Sequence, residues 1–244
     1  MKIGTFCLVW KEARYLPLVL EQMSLCPGPA LLYWQNYPWF WYGKGPAPSG
    51  HDSAVADIVK QFPKIEVIKV DRFPAEMASQ NAAFQEMRRR GMDVTARFDS
   101  DWLVELDAMQ RFYDAVSDSE KACSWNIKAQ HYWRNFRTIH AAGLIRCAVP
   151  SSENHTWVPE RSDDQWLDDW CYHASYVWTD EEIYDKVHSW GHADTFQGEK
   201  RDFYRDEWLG KNDAHWNARP ADKTLPDEIV SRLRNWNALL EDLL

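Results

Sequence analysis

Disulfide frames, membrane spans and repeats are all missing from this chain of 244 residues, and each absence removes a class of protein. Its five cysteines, Cys7, Cys26, Cys123, Cys147 and Cys171, are odd in number, widely spaced and without a CxxC pair. That argues against a zinc ribbon or disulfide scaffold and for reduced, buried thiols in the cytoplasm. No apolar run approaches the ~18 residues that suggest a membrane-spanning helix. The opening IGTFCLV is too short for a signal-peptide core, so the NHT sequon at Asn154 is expected to be idle. With no repeat or low-complexity linker, one domain over 1–244 is expected. A basic excess is missing too. The net charge is −9, and residues 1–100 hold 12 Lys+Arg against 10 Asp+Glu while 101–244 hold 16 against 27. An acidic second half argues against broad binding to phosphate backbones, which a basic surface drives by releasing counterions. What the chain has in plenty is tryptophan, 15 in all, a side chain suited to stacking on flat or sugar-like ligands.

Apolar periodicity alternates between strand and helix through the first hundred residues. KIGTFCLVW (2–10) is a β-rich run, and Tyr15, Leu16, Val19, Leu20 and Met23 follow at helical spacing. PALLYW (29–34) is a second strand, and HDSAVADIVKQF a helix opened by an Asp/Ser cap. KIEVIKV (64–70) is a third strand, PAEMASQNAAFQEMRRRG a helix closed by arginines and Gly91, and DVTARF (93–98) a fourth strand. The order βαβαβαβ predicts an α/β fold, a mostly parallel Rossmann-type sheet flanked by helices. Between the second strand and its helix, QNYPWFWYGKGPAPSG (35–50) must be a loop, and its aromatic stretch 37–42 suits a ligand cover. Beyond residue 101 come a helix, ELDAMQRFYDAV, and β-prone pieces near 122–130, 131–139 and 143–149. The strand WCYHASYVW (170–178) precedes a helix begun by a capping box, Thr179 with Glu182. Ile229, Leu233, Trp236, Leu240 and Leu243 then mark an amphipathic C-terminal helix. The second half is therefore expected to be a mixed strand region.

Ligands of open α/β sheets bind beyond the carboxyl ends of the strands. Asp99 and Asp101 stand at such an end, in TARFDSDWL. Their Asp-x-Asp spacing lets both carboxylates reach one hard cation, Mn²⁺ or Mg²⁺, which can bridge to substrate phosphates. Other acidic pairs in the chain, in DFYRDE and DDQWLDD, lack that position at a strand end.

Taken in order, KIGTFCLVWKEARYLPLVLEQM, DRFPAEMASQNAAFQEMRRRGMDVTARFDSDWL and WCYHASYVWTDEEIYDKVHSWGH resemble the successive motifs of GT-A-fold, family-2-type glycosyltransferases. The resemblance covers about 190 residues. It implies a GT-A-like domain with a nucleotide-sugar-binding half, 1–101, and an acceptor-binding half with the C-terminal helix, 102–244. It implies a transferase moving a sugar from a nucleotide-diphosphate donor, with inversion as the family's habit. On this resemblance Asp99, Asp101 and His173 hold the metal. Val9, Trp10 and Glu12 would hold the nucleoside, with Asn81 and Asp99 on the donor and Lys186 and His188, with His192, near the diphosphate. The base-catalyst position just upstream of the last motif falls on Asp169, then Asp168. Three positions depart from the family pattern. Gln35 and Asn36 stand where an acidic residue reads the base, Gln80 stands where Arg precedes the helix Asn, and Trp102 stands where a further acid follows the DxD.

The acidic second half favours a saccharide acceptor over DNA. A phage-type enzyme glycosylating modified DNA bases is the alternative, and a nucleotidyltransferase or a non-catalytic nucleotide-binding protein of similar fold is the other. A nucleotidyltransferase usually needs a Gly-rich basic loop after the first strand, which VWKEARY does not supply. HSWGH spaces two histidines like a zinc site, but it carries Gly between them and no Glu in the HExxH position.

Overall fold

In a computed structural model, residues 1–153, 162–189, 197–198, 201–202, 208–209 and 218–236 are described. Strands β1 (Ile3–Val9), β2 (Ala30–Gln35), β3 (Ile65–Val70) and β4 (Val94–Asp99) pair in parallel in the spatial order β3-β2-β1-β4. Helices α1 (Leu16–Ser24), α2 (Ser53–Val59) and α3 (Glu76–Arg89) connect them. The central strands are almost wholly apolar because helices cover both faces of the sheet. Ile3, Cys7 and Val9 share a cluster with Leu16, Val19, Leu20 and Met23 of α1 and Val55 of α2. Phe6 and Leu31 share another with Ala83, Phe84 and Met87 of α3. Local signals set the helix ends: the Asp52 carboxylate caps α2 by accepting from the Val55 N–H at 2.9 Å. Gly91, at φ 73°, takes the left-handed turn after α3.

Beyond β4 the sheet becomes mixed. β5 (Trp102–Leu103) follows two residues after β4, and α4 (Leu106–Asp118) leads into β6 (Trp125–Trp133), β7 (Asn135–Pro150) and β8 (Gln165–Tyr176). β7 lies antiparallel to both β4 and β6, β6 runs parallel to β8, and β5 lies antiparallel to β8. α5 (Asp180–Ser189) follows β8, short β9 (Gln197–Gly198) and β10 (Arg201–Asp202) pair with each other, β11 (Arg219–Pro220) pairs with β7, and α6 (Asp227–Asn235) packs on α1. This is the α/β arrangement expected, parallel and helix-flanked in its first half and mixed in its second.

One expectation changes. The three β-prone pieces between 122 and 149 are two long strands, because the chain reverses at Arg134, whose φ is 63°, and not at a Gly or Pro. α6 buries Ile229 and Leu233 as its spacing predicts, but Leu240 and Leu243 lie outside the described residues, as do Asn154 and His192. All five cysteines are free and buried. No described helix is long and apolar enough to cross a membrane.

Candidate active site

A cavity of about 270 Å³ opens at the carboxyl ends of β1, β2 and β4, where open α/β sheets bind ligands. The first half contributes Val9, Trp10 and Glu12 after β1, Gln35, Pro38 and Trp39 around the end of β2, and Arg97, Asp99 and Asp101 at the end of β4. The second half contributes His131, His140, His173, Tyr176 and Lys186.

Sheet register brings the two halves together at Asp101. β5 pairs Trp102 with His173 of β8, and the Asp101 carbonyl accepts the Ala174 N–H at 3.0 Å. The neighbouring strand β6 sets His131 beside His173. Asp101 is only 3% exposed. Its Oδ1 lies 3.1 Å from His173 Nε2 and its Oδ2 2.5 Å from Lys186 Nζ. Burial by itself would raise this carboxyl, but the Lys186 ammonium and the His173 ring outweigh it and hold the group far below the usual carboxylate range. Asp101 is therefore an anion at every physiological pH. His173 thus bridges Asp101 and His131, its Nδ1 lying 2.8 Å from His131 Nδ1. Burial, then the neighbouring histidines, push His131 down to about 3, so its ring is neutral.

Asp99 faces a different partner. Arg97 Nε and Nη2 reach Asp99 Oδ1 at 3.0 and 2.8 Å, and Nη2 also reaches Glu76 Oε1 of α3 at 3.1 Å. Side chains two apart on a strand share a face, so Arg97 was legible as a neighbour of Asp99, although the apolar look of TARFD concealed it.

Beyond β1, the Glu12 carboxylate accepts the backbone N–H groups of Trp10 and Lys11 at 3.0 and 3.2 Å and so fixes the turn. Gln35 is buried, and its Oε1 accepts the Phe73 N–H at 3.2 Å. The aromatic loop crosses to α5: Tyr42 N–H donates to the His188 carbonyl at 2.9 Å, and Lys44 N–H to the Tyr184 hydroxyl at 3.1 Å. Pro38 and Trp39 thereby line the cavity. Gly50 closes the loop against Trp10, where an added Cβ would come within 2.5 Å of the Trp10 carbonyl oxygen.

Four residues expected at the site stand elsewhere. Asn81 is not among the cavity-lining residues, and its Oδ1 is buried without a hydrogen-bond partner among the described residues. His188 does not line the cavity, and its Nδ1 contacts the Tyr184 carbonyl on its own helix at 2.6 Å. Asp168, whose side chain is 95% exposed, pairs with Lys128, and Asp169 pairs with Arg111 at 2.7 Å. They occupy the bulge where the β6–β8 register jumps from Leu167 to Trp170, and neither carboxylate lines the cavity. Sequence reasoning missed Arg97, Glu76 and His131. His131 gave no local signal, because only the β6–β8 register brings it to His173.

The donor set suits a hard divalent cation in charge and ligand type. Four carboxylates line the cavity (Glu12, Glu76, Asp99, Asp101) against two cations (Arg97, Lys186). Asp101 and His173 already meet. Asp99 is turned to Arg97, and no three metal-ligating side chains converge among the described residues.

No family model and no curated protein matches the chain. Among solved structures it is similar to S. aureus TarS 1-349 in complex with UDP-GlcNAc, at 12% identity and a TM-score of 0.37 over 54% of this chain and 35% of that one. It spans about a third of that structure. It is also similar to a Desulfovibrio desulfuricans G20 protein assigned as a nucleotide-diphospho-sugar transferase, at 9% identity and a TM-score of 0.39 over 85% of this chain and 96% of that one. A Bacillus anthracis protein assigned as a glucose-1-phosphate thymidylyltransferase gives 9% identity and a TM-score of 0.44 over 71% of this chain and 90% of that one.

Proposed function

We propose that the chain is a glycosyltransferase that moves a sugar from a nucleotide-diphosphate donor to a saccharide hydroxyl. The observation that carries this reading is the meeting of Asp101, His173 and Lys186 in a cavity at the carboxyl end of the parallel sheet, beside Trp10 and Trp39. An indole gives a nucleobase or sugar ring a flat apolar face, while cations and a metal oppose the diphosphate. Val9, Trp10, Glu12 and Gln35 form the nucleoside wall, and Arg97 and Lys186 face the phosphates. Mn²⁺ or Mg²⁺, held by Asp101 and His173 with Asp99, would neutralise the charge that develops on the leaving diphosphate. The chain's own part is to orient the donor with its anomeric carbon toward the second half and to keep Asp101 ionised.

Thermal stabilisation by a panel of UDP-, GDP-, CDP- and ADP-sugars tests this, since a ligand of the folded state at about 100 times its Kd adds ~2.7 kcal/mol. One nucleotide class is expected to raise the melting temperature with Mn²⁺ present, and Asp101→Ala to abolish the rise. A flat response across the panel would remove the transferase reading.

A further inference from the structure

We propose that segment 36–50, which joins β2 to α2, is a hinged cover over the cavity, and that the indole N–H of Trp39 is the group by which a bound ligand holds it closed. This deepens the transferase reading and takes only the identity of the ligand from it.

The two ends of the segment are clamped together. Gly50 N–H donates to the Asn36 carbonyl at 2.6 Å, Trp10 Nε1 to the same carbonyl at 3.2 Å, and Trp34 Nε1 to the Gly50 carbonyl at 2.6 Å. The middle is held more lightly. Its main chain meets α5 through Tyr42 N–H on the His188 carbonyl at 2.9 Å and Lys44 N–H on the Tyr184 hydroxyl at 3.1 Å. The Tyr37 and Tyr42 rings of the same stretch are exposed.

Trp39 belongs to this middle and lines the cavity. Its Nε1 is buried and has no acceptor among the described residues. The neighbouring indoles differ, because Trp10, Trp34 and Trp41 each donate to a main-chain carbonyl, Trp41 to that of Gly45 at 2.9 Å. A donor withdrawn from water without an acceptor raises the free energy of the form that hides it. Without ligand the hiding form is the closed one, so the orphaned N–H favours opening, which returns it to water. A ligand oxygen that accepts from Nε1 removes that cost and shifts the cover toward closure, as any ligand does that interacts better with one of two forms. The hydroxyl and phosphate oxygens of a nucleotide sugar supply such an acceptor.

The test is hydrogen–deuterium exchange of the full chain, read on peptides covering residues 37–45. Without nucleotide, Trp39→Phe keeps a flat ring and drops the N–H, and it is expected to slow exchange at the Tyr42 and Lys44 amides about tenfold, the scale set by one unsatisfied buried donor. Trp41→Phe, which loses an N–H that already has its acceptor, is expected to speed it. With whichever of UDP-, GDP-, CDP- or ADP-glucose stabilises the chain, exchange at these amides is expected to slow in wild type and to change little further in Trp39→Phe. Equal or faster exchange in ligand-free Trp39→Phe overturns the proposal, as does the same slowing in Trp41→Phe, or a bound nucleotide sugar that leaves wild-type exchange unchanged. If Trp39→Phe does not fold, the wild-type response to the nucleotide sugar decides. If no nucleotide sugar binds, the transferase reading falls and the ligand-free comparison still decides the cover.

Discussion

A buried carboxylate stays ionised only where neighbours replace the water it has lost. Asp101 has two such neighbours, and removing its charge leaves the Lys186 ammonium without its partner. Asp101→Asn is therefore expected to cost about 3–5 kcal/mol of stability, the range for breaking one side of a buried pair, measured by urea unfolding. The carboxyl is depressed from its ordinary value of 3.8 in the fold, so its stabilisation is complete above that value and lost as pH falls below it. His131 acts at higher pH. Its folded value is pushed from 6.5 down to about 3, so the unfolded chain binds the proton first and stability falls as pH drops from 6.5 toward 3. The slope from one such group is at most ~1.4 kcal/mol per pH unit. Urea midpoints between pH 7.5 and 4 should show this decline, and His131→Asn should flatten it; an unchanged slope in the variant would assign the loss to other groups. Asp101 and His173 could be found in the sequence because one stands just beyond a strand end and the other within the motif that begins at Trp170. Arg97 could have been, from its place two residues before Asp99 on one strand face, whereas His131 could not, since its role depends on a residue of another strand.

Elements were legible wherever their signals were local. The alternation of strand and helix through residue 99, the Asp52 cap and the Gly91 stop are all encoded within a few residues of where they act. So is the capping box of α5: Glu182 Oε2 accepts the Thr179 N–H and hydroxyl, both at 2.8 Å, and the Thr179 hydroxyl oxygen accepts the Glu182 N–H at 3.3 Å. Arg14 clamps the same glutamate with contacts of 2.8–3.2 Å. That helix start aims Lys186 at Asp101. Thr179→Ala should lower stability by ~1 kcal/mol, and it should weaken nucleotide binding beyond the loss that Asp52→Ala, a cap on α2, produces. Equal binding losses in the two cap variants would separate α5's start from the site. The pairings of β5 with β8 and β6 with β8 were not legible, because register between distant strands is set by packing and not by neighbouring residues. The Asp168–Asp169 bulge shows the consequence, since one displaced register moved both nominated carboxylates away from the cavity.

Across the whole molecule, one sheet carries both halves, and α6 is tied to the first half through Arg232. That guanidinium is buried and bonds Glu21 at 2.6 Å, Glu228 at 3.1 Å and the carbonyls of Leu18 and Val104. The overall charge disfavours duplex DNA as a partner. Residues 101–244 hold 27 acidic against 16 basic side chains, and the half expected to receive the acceptor is thus anionic. A protein that neutralises Z phosphates of duplex DNA loses affinity with a log–log salt slope of about −0.9Z. For a saccharide acceptor, binding to duplex DNA should be negligible at physiological salt, and any residual binding at low salt should show a slope near zero or one. Fluorescence anisotropy with a labelled duplex, from 50 to 200 mM salt, measures that slope directly. A steep slope, implying several phosphate contacts, would show a local basic groove that the summed charge hides. The proposed saccharide acceptor would then give way to DNA, while the donor site proposed around Asp101 would be left unaffected.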